Sequence, residues 1–300
     1  MPISNLTYFS YKSTAVAIRA AAALKTSSKE PNPDEVRRIP SRDADRTIRT
    51  HGYYPPSSKT ATAAPSPSPV LINFSGSGWV VPMHGTDDAF CRQISREINC
   101  EVLDVKYRLA PEDPFPAALN DAEDVVNYVR AHSDKYDLSR LYISGFSAGG
   151  NLPLSMPTNI FGPDTFRTAL VFYPSIDWSG DLALKVAPRP KPGADTTPHI
   201  RDFFGRALAQ GVSRADPRIS PCFAPLKQFP RRVMVITAEM DSLAPEGEEL
   251  AGRLEKIGRR ITSRRMVDCG HGWDKSALPG SPQYAAREEA YKMAVDIINE

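Results

Sequence analysis

The stretch RLYISGFSAGG, residues 140–150, reads as a short strand that turns without a spacer into a helix start. A serine hydroxyl that must stand clear at such a turn needs a tight, strained bend. The residues two before and two after it then crowd together and must be tiny, and here they are Gly145 and Gly149. The amide of the next residue, Ala148, faces the space above Ser147, where negative charge on a carbonyl oxygen would form. The helix N-terminus adds a dipole that favours such charge. Gly-x-Ser-x-Gly recurs by chance in many chains, so the strand in front of it carries the weight.

Outward from this turn, short apolar runs alternate with helical patterns. Strands are expected at 46–55, 69–74, 100–107, 140–145, 168–174, 231–238 and 261–268. DDAFCRQISREI (87–98) repeats Phe90, Ile94 and Ile98 at a helical step, and helices are also expected at 14–25, 118–132, 199–211, 245–258 and about 283–299. Such alternation predicts a mostly parallel sheet with helices on both faces. The prolines cluster at 31–40, 55–69 and 187–198, so residues 26–45 read as polar and Pro-broken, and 57–69 as a low-complexity loop. More than 50 residues without a strand pattern separate FYPSIDW (172–178) from the strand at 231. An insertion this long in a sheet fold predicts a lid over a site.

A nucleophilic serine needs a base and a group to orient that base. His271 in CGHGW follows the last strand with glycine on both sides, and Asp241 in AEMDSLAP ends the strand at 231–238. The order Ser147, Asp241, His271 is the one α/β-hydrolases use, and both partners fall at strand ends, where open α/β sheets place their sites. Glu239 and Asp268 are rival carboxylates, and His84 is a rival base.

Composition excludes several classes. A net charge of +2 gives no global field for nucleic acid or an anionic membrane. Four cysteines without a CxxC pair fit neither a zinc site nor a disulfide framework, and no cofactor or metal is expected. No apolar run is long enough to span a membrane. Arg19 interrupts the N-terminal apolar run, so a signal peptide is not expected; residues 1–29, basic and free of acids, read as an amphipathic helix with a faint likeness to a mitochondrial presequence. The expected setting is cytoplasmic and reducing, with a small-molecule partner and a homodimer as an option.

YRLAPEDPFPAALND (107–121), GFSAGGN (145–151), ADPRISP (215–221), the Asp of MDSL (240–243) and HGW (271–273) occur in one order. With these motifs the sequence resembles the hormone-sensitive-lipase-like branch of the α/β-hydrolases over roughly residues 45–300. The resemblance implies an α/β-hydrolase fold, with a mostly parallel eight-stranded sheet, helices on both faces and a helical cap. It divides the chain into N-terminal cap helices (1–45) and a hydrolase domain (46–300) with a cap insertion at about 176–230.

The resemblance also implies the role of NFSGSGWV (73–80). The family has His-Gly-Gly-Gly-aromatic here, and the loop supplies oxyanion amides; carried over, these are Ser77 and Gly78, beside Ala148. Ser75 stands where the family has a histidine that buttresses the loop, and Trp79 takes the aromatic position. A second departure is GGNLPLSMP (149–157), whose Pro153 and Pro157 predict a kinked or broken helix where the family runs an uninterrupted one. Trp79, Phe146 and Trp273 flank the catalytic loops and are expected to contact substrate. Arg108 and Glu112 are expected in ion pairs of a buried turn, with Asp216 and Arg218 tying cap to core.

The activity expected first is hydrolysis of a carboxylic ester of a small to medium metabolite through an acyl-enzyme on Ser147. The same triad could pass the acyl group to an internal amine or hydroxyl, giving acyl transfer or cyclisation. A non-catalytic ligand-binding homologue is the third reading.

Overall fold

A computed structural model describes residues 4–25, 30–56 and 67–300. Most of the low-complexity stretch 57–69 lies outside them. The order of elements is α1 (Asn5–Lys25), β1 (Glu35–Pro40), β2 (Thr47–Tyr53), β3 (Ser68–Phe74), α2 (Asp88–Ile98), β4 (Glu101–Val105), α3 (Ala117–Ala131), β5 (Tyr136–Phe146), α4 (Leu152–Met156), β6 (Thr168–Phe172), α5 (Pro198–Ala209), β7 (Arg232–Ala238), α6 (Ala244–Lys256), β8 (Arg260–Met266) and α7 (Pro282–Asn299). One eight-stranded sheet runs β1-β2-β4-β3-β5-β6-β7-β8. β1 and β2 are antiparallel to their neighbours, and every later pairing is parallel.

Strands β3, β4, β6 and β7 are buried along nearly their whole length on both faces, as helices on either side require, whereas the edge strand β8 is mostly exposed. Val70, Ile72 and Phe74 of β3 join the cluster that holds Val125 and Val129 of α3 and Leu250 and Leu254 of α6. Leu71, one residue out of phase, joins the opposite cluster with Phe90 and Ile94 of α2 and Ile297 and Ile298 of α7. Full burial of each such side chain stabilises the fold by about 2 kcal/mol.

The sheet begins at Glu35, inside the stretch expected to hold only N-terminal helices. EVRRIP exposes Val36, Arg38 and Pro40, half-buries Glu35 and Arg37, and buries only Ile39 fully, so it carries no apolar run to read. A short, charged edge strand of this kind protects the sheet from pairing with other chains.

Helix α1 reaches back over the first strands. Tyr11 meets Phe203 of α5 edge-on at 6.0 Å. Arg19 donates to the carbonyls of Val80 and Ala110 and pairs with Glu112 at 2.8 Å. The 176–230 segment holds α5, whose Leu208 carbonyl accepts from Phe115 N–H at 2.9 Å, while Gln210 donates to the Pro111 carbonyl at 2.7 Å. Asp216 and Arg218 pair at 2.7 Å, and the Arg218 guanidinium lies over the Phe115 ring at 5.0 Å, joining this segment to the turn before α3. Asn151 adds a second tie, donating to the carbonyls of Ser175 and Ile219. Among the described residues no helix is long and apolar enough to cross a membrane.

Candidate active site

β5 ends at Phe146, and Ser147 takes a positive φ of 52°. A left-handed conformation at a non-glycine residue is strained, and the surroundings hold it. A Cβ on Gly145 would stand 2.2 Å from the carbonyl oxygen of Gly149. One on Gly149 would stand 2.3 Å from the carbonyl oxygens of Phe74 and Ser75. Both glycines are therefore obligatory, and the second presses the turn against the loop that follows β3.

Beyond the turn the helix comes in three short pieces. A tight 3₁₀ turn over Ser147–Asn151 leads into α4, and a wide π turn over Pro157–Phe161 follows. Pro153 sits at the start of α4 and Pro157 at the start of the π turn, where a missing N–H is tolerated. The chain is buried from Ser147 through Thr158, so it keeps its place under the site despite the breaks.

Ser147 is 9% exposed, and its Oγ lies 2.8 Å from His271 Nε2. His271 Nδ1 lies 2.8 Å from Asp241 Oδ2. Asp241 is fully buried, and its Oδ1 accepts the backbone N–H of Leu243 at 2.9 Å. Burial opposes a charge on His271, but the Asp241 carboxylate outweighs it, and the imidazole pKa is raised above its ordinary value. The rival groups lie elsewhere. Glu239 and Asp268 are both held by Arg189, and His84 packs against His51, tilted by 44° at 4.0 Å.

The segment between β6 and α5 also faces His271 and Asp241. The Ala194 carbonyl accepts the backbone N–H of His271 at 2.8 Å, and a Cβ on Gly270 would meet that carbonyl at 2.3 Å. Asp195 follows; its Oδ2 accepts from Ser242 N–H at 3.1 Å and from Arg201 at 3.0 Å. It offers a carboxylate oxygen within 4.8 Å of the ligand atoms of Asp241 and His271. Nothing in KPGADTTP (191–198) has a catalytic pattern that would mark it.

Ser75 and Ser77 are buried in the loop after β3. The Tyr107 hydroxyl donates to the Ser75 carbonyl at 2.6 Å and lies 2.7 Å from Ser77 Oγ. Ser77 Oγ in turn accepts the Trp79 N–H at 2.8 Å. Thus a tyrosine of the YRLAPE turn braces the loop. Gly78 has φ of 54°, and a Cβ there would lie 2.2 Å from Phe204 of α5.

Phe146, expected to touch substrate, does not. Successive strand residues face opposite sides of the sheet, so Phe146 points away from the serine's side. Its ring stacks on Phe172 at 4.4 Å in the α2–α7 core. Trp273 is buried in that same core against Tyr173, while Trp79 is buried near Tyr107.

Behind the histidine loop lies a buried ionic cluster. Lys275 contacts Asp87 at 2.6 Å and Asp274 at 2.8 Å. Asp274 also accepts from the hydroxyls of Tyr173 and Tyr291 at 2.6 and 2.8 Å. Tyr173 meets His271 edge-on at 5.0 Å, so the cluster anchors the wall behind the base. The adjacent Asp-Lys of HGWDK was its sequence signal.

His51, His84 and Asp104 form a group that could offer three metal ligands. Arg49 stands 3.5 Å from His51 Nε2, and burial holds both imidazoles at a pKa of about 4. A neighbouring guanidinium disfavours a cation there, and the group serves to pack β2, β4 and the loop at 84 together.

Fold and hydrogen-bond geometry together have the form of a serine hydrolase built on an α/β sheet. Comparison with known proteins gives the particular family. An alpha/beta hydrolase fold family model matches residues 71–275, and the chain belongs to the hormone-sensitive-lipase-like, fold-3 family of carboxylic ester hydrolases. It is 30% identical over 233 residues to the carboxylic ester hydrolase LipN of Mycobacterium tuberculosis, covering 74% of this chain and 60% of that protein. It is 30% identical over 220 residues to an arylesterase of Saccharolobus solfataricus, covering 71% and 69%. Among solved structures, the thermostable carboxylesterase EstE1 from a metagenomic library superposes with a TM-score of 0.77 at 27% identity, over 96% of each chain.

Proposed function

We propose that this protein hydrolyses carboxylic esters through an acyl-enzyme on Ser147. The observation that carries this reading is the unbroken chain from Ser147 Oγ through His271 to Asp241, each link 2.8 Å. His271 Nε2 takes the hydroxyl proton as Oγ attacks the ester carbonyl carbon. Asp241 accepts the Nδ1–H and steadies the imidazolium. The N–H groups of Ser77, Gly78 and Ala148 receive the oxyanion. His271 then protonates the departing alcohol, the C–O bond breaks, and water repeats the sequence to release the acid. Helix α1 and residues 176–230 act as the cap in this reading.

The ester has a short acyl arm. Phe204 presses its ring where a Gly78 side chain would be, so the cap leaves little room beside the oxyanion amides. Two measurements test the reading. Ser147→Ala is expected to lower turnover of p-nitrophenyl acetate by about 10⁴-fold or more while the melting curve stays cooperative. Undiminished turnover would sink the mechanism. Wild type is expected to prefer acetate over octanoate esters, and Phe204→Ala to relax that preference; an unchanged chain-length profile overturns the short-arm assignment alone.

A further inference from the structure

A groove of about 600 Å³ opens between α1, β1, β2 and the turn after β4. Six cations line it: Arg19, Arg38, Arg46, Arg49, Lys106 and Arg108. Among the described residues the acids in its wall are Glu112 and Asp113.

Three of the cations are neutralised. Arg19 pairs with Glu112 at 2.8 Å, and Arg46 and Arg108 share the buried Asp121 at 2.7 and 2.9 Å. The other three, Arg38, Arg49 and Lys106, have no carboxylate within ion-pair distance among the described residues, and all are exposed. They stand side by side. Arg38 is the register partner of Arg49 across the β1–β2 ladder, and the backbone N–H of Lys106 donates to the Arg49 carbonyl at 2.9 Å. Like charges opposite one another on neighbouring strands destabilise a sheet. Here the fold aligns three of them and leaves them unanswered, in a groove whose other cations each have an acid.

We propose that this groove binds a small polyanion carrying phosphate or clustered carboxylate groups, held by Arg38, Arg49 and Lys106. Two guanidinium forks suit the paired oxygens of either group, and the lysine adds a point charge. The groove is open to solvent, and its volume falls within the range of small-ligand sites. The ligand would touch residues that hold the oxyanion loop, because Tyr107 and Arg19 line the same groove and bond to Ser75 and Val80.

Calorimetric titration at low ionic strength, with pyrophosphate and separately with citrate, tests this. Wild type is expected to bind at least one of the two saturably, one per chain, and the tighter one tells phosphate from polycarboxylate. The triple variant Arg38→Ala/Arg49→Ala/Lys106→Ala is expected to bind at least about tenfold more weakly. A control triple, Arg231→Ala/Arg260→Ala/Arg264→Ala, removes the same formal charge from exposed arginines outside the groove wall and is expected to keep wild-type affinity. Absence of saturable binding by both anions, or an equal loss in both triples, overturns the site. All six positions are on the surface, and circular dichroism melts verify that each variant is folded.

Discussion

The Tyr107 hydroxyl donates to the carbonyl of Ser75 at 2.6 Å, tying the turn after β4 to the loop that is proposed to hold the oxyanion. Ser75 stands where the family resemblance implies a histidine, and the loop here is braced by a residue 32 positions away. Tyr107→Phe removes one hydroxyl and leaves a buried carbonyl without its donor, a change of about 1–3 kcal/mol. It is expected to lower kcat about tenfold or more with KM little altered, since loop amides act mainly on the transition state. Steady-state kinetics on a short p-nitrophenyl ester decide it. An unchanged kcat would mean that the loop is held without Tyr107.

Asp195 predicts a pH effect. Catalysis needs His271 neutral, so activity falls as pH drops through its pKa. Burial lowers that pKa, Asp241 raises it, and Asp195 raises it further, for a net rise. Asp195→Asn removes one of the two carboxylates, so the acid limb of kcat/KM is expected to move to lower pH. Its shape should stay that of a single ionisation. A limb that stays in place, or moves to higher pH, rejects the coupling between cap and base.

Much of this was readable in advance, for physical reasons. Gly145 and Gly149 are dictated by backbone crowding at one turn, so a local pattern exposes them. Asp241 follows a strand whose apolar run is plain, His271 sits on a Gly-flanked loop after the last strand, and their order completes the pattern. Phe146 was misjudged because its neighbour Ser147 faces the site, while the pleat turns it into the opposite core. Glu35–Pro40 was missed because an edge strand needs no apolar run. Asp195 and the Tyr107 brace were illegible, since both depend on contacts between segments distant in sequence.

The buried cluster around Lys275 gives a stability prediction. Lys275→Met leaves Asp87 and Asp274 buried without their shared cation, which costs about 3–5 kcal/mol. Adding Asp87→Asn removes one uncompensated charge while an amide keeps the site polar. The double variant is therefore expected to be more stable than Lys275→Met alone, a non-additive result for groups in contact. Urea melts of wild type, both singles and the double give the coupling. If the two changes simply add, the three groups do not act as a unit.

Gly78 and Phe204 form a contact between the loop proposed to hold the oxyanion and α5 of the proposed cap. Gly78→Ala meets two obstacles: a φ of 54°, which costs an alanine about 1–2 kcal/mol, and a methyl carbon 2.2 Å from the Phe204 ring. The ring must move or the loop must yield. If the loop yields, its amides leave the oxyanion and kcat falls. Phe204→Ala in the same chain removes the steric obstacle but leaves the backbone strain. The double variant is therefore expected to recover part of the kcat lost by Gly78→Ala, while its melting temperature stays below that of wild type. No recovery would place the whole cost in the backbone, and the cap would then have no part in setting the loop.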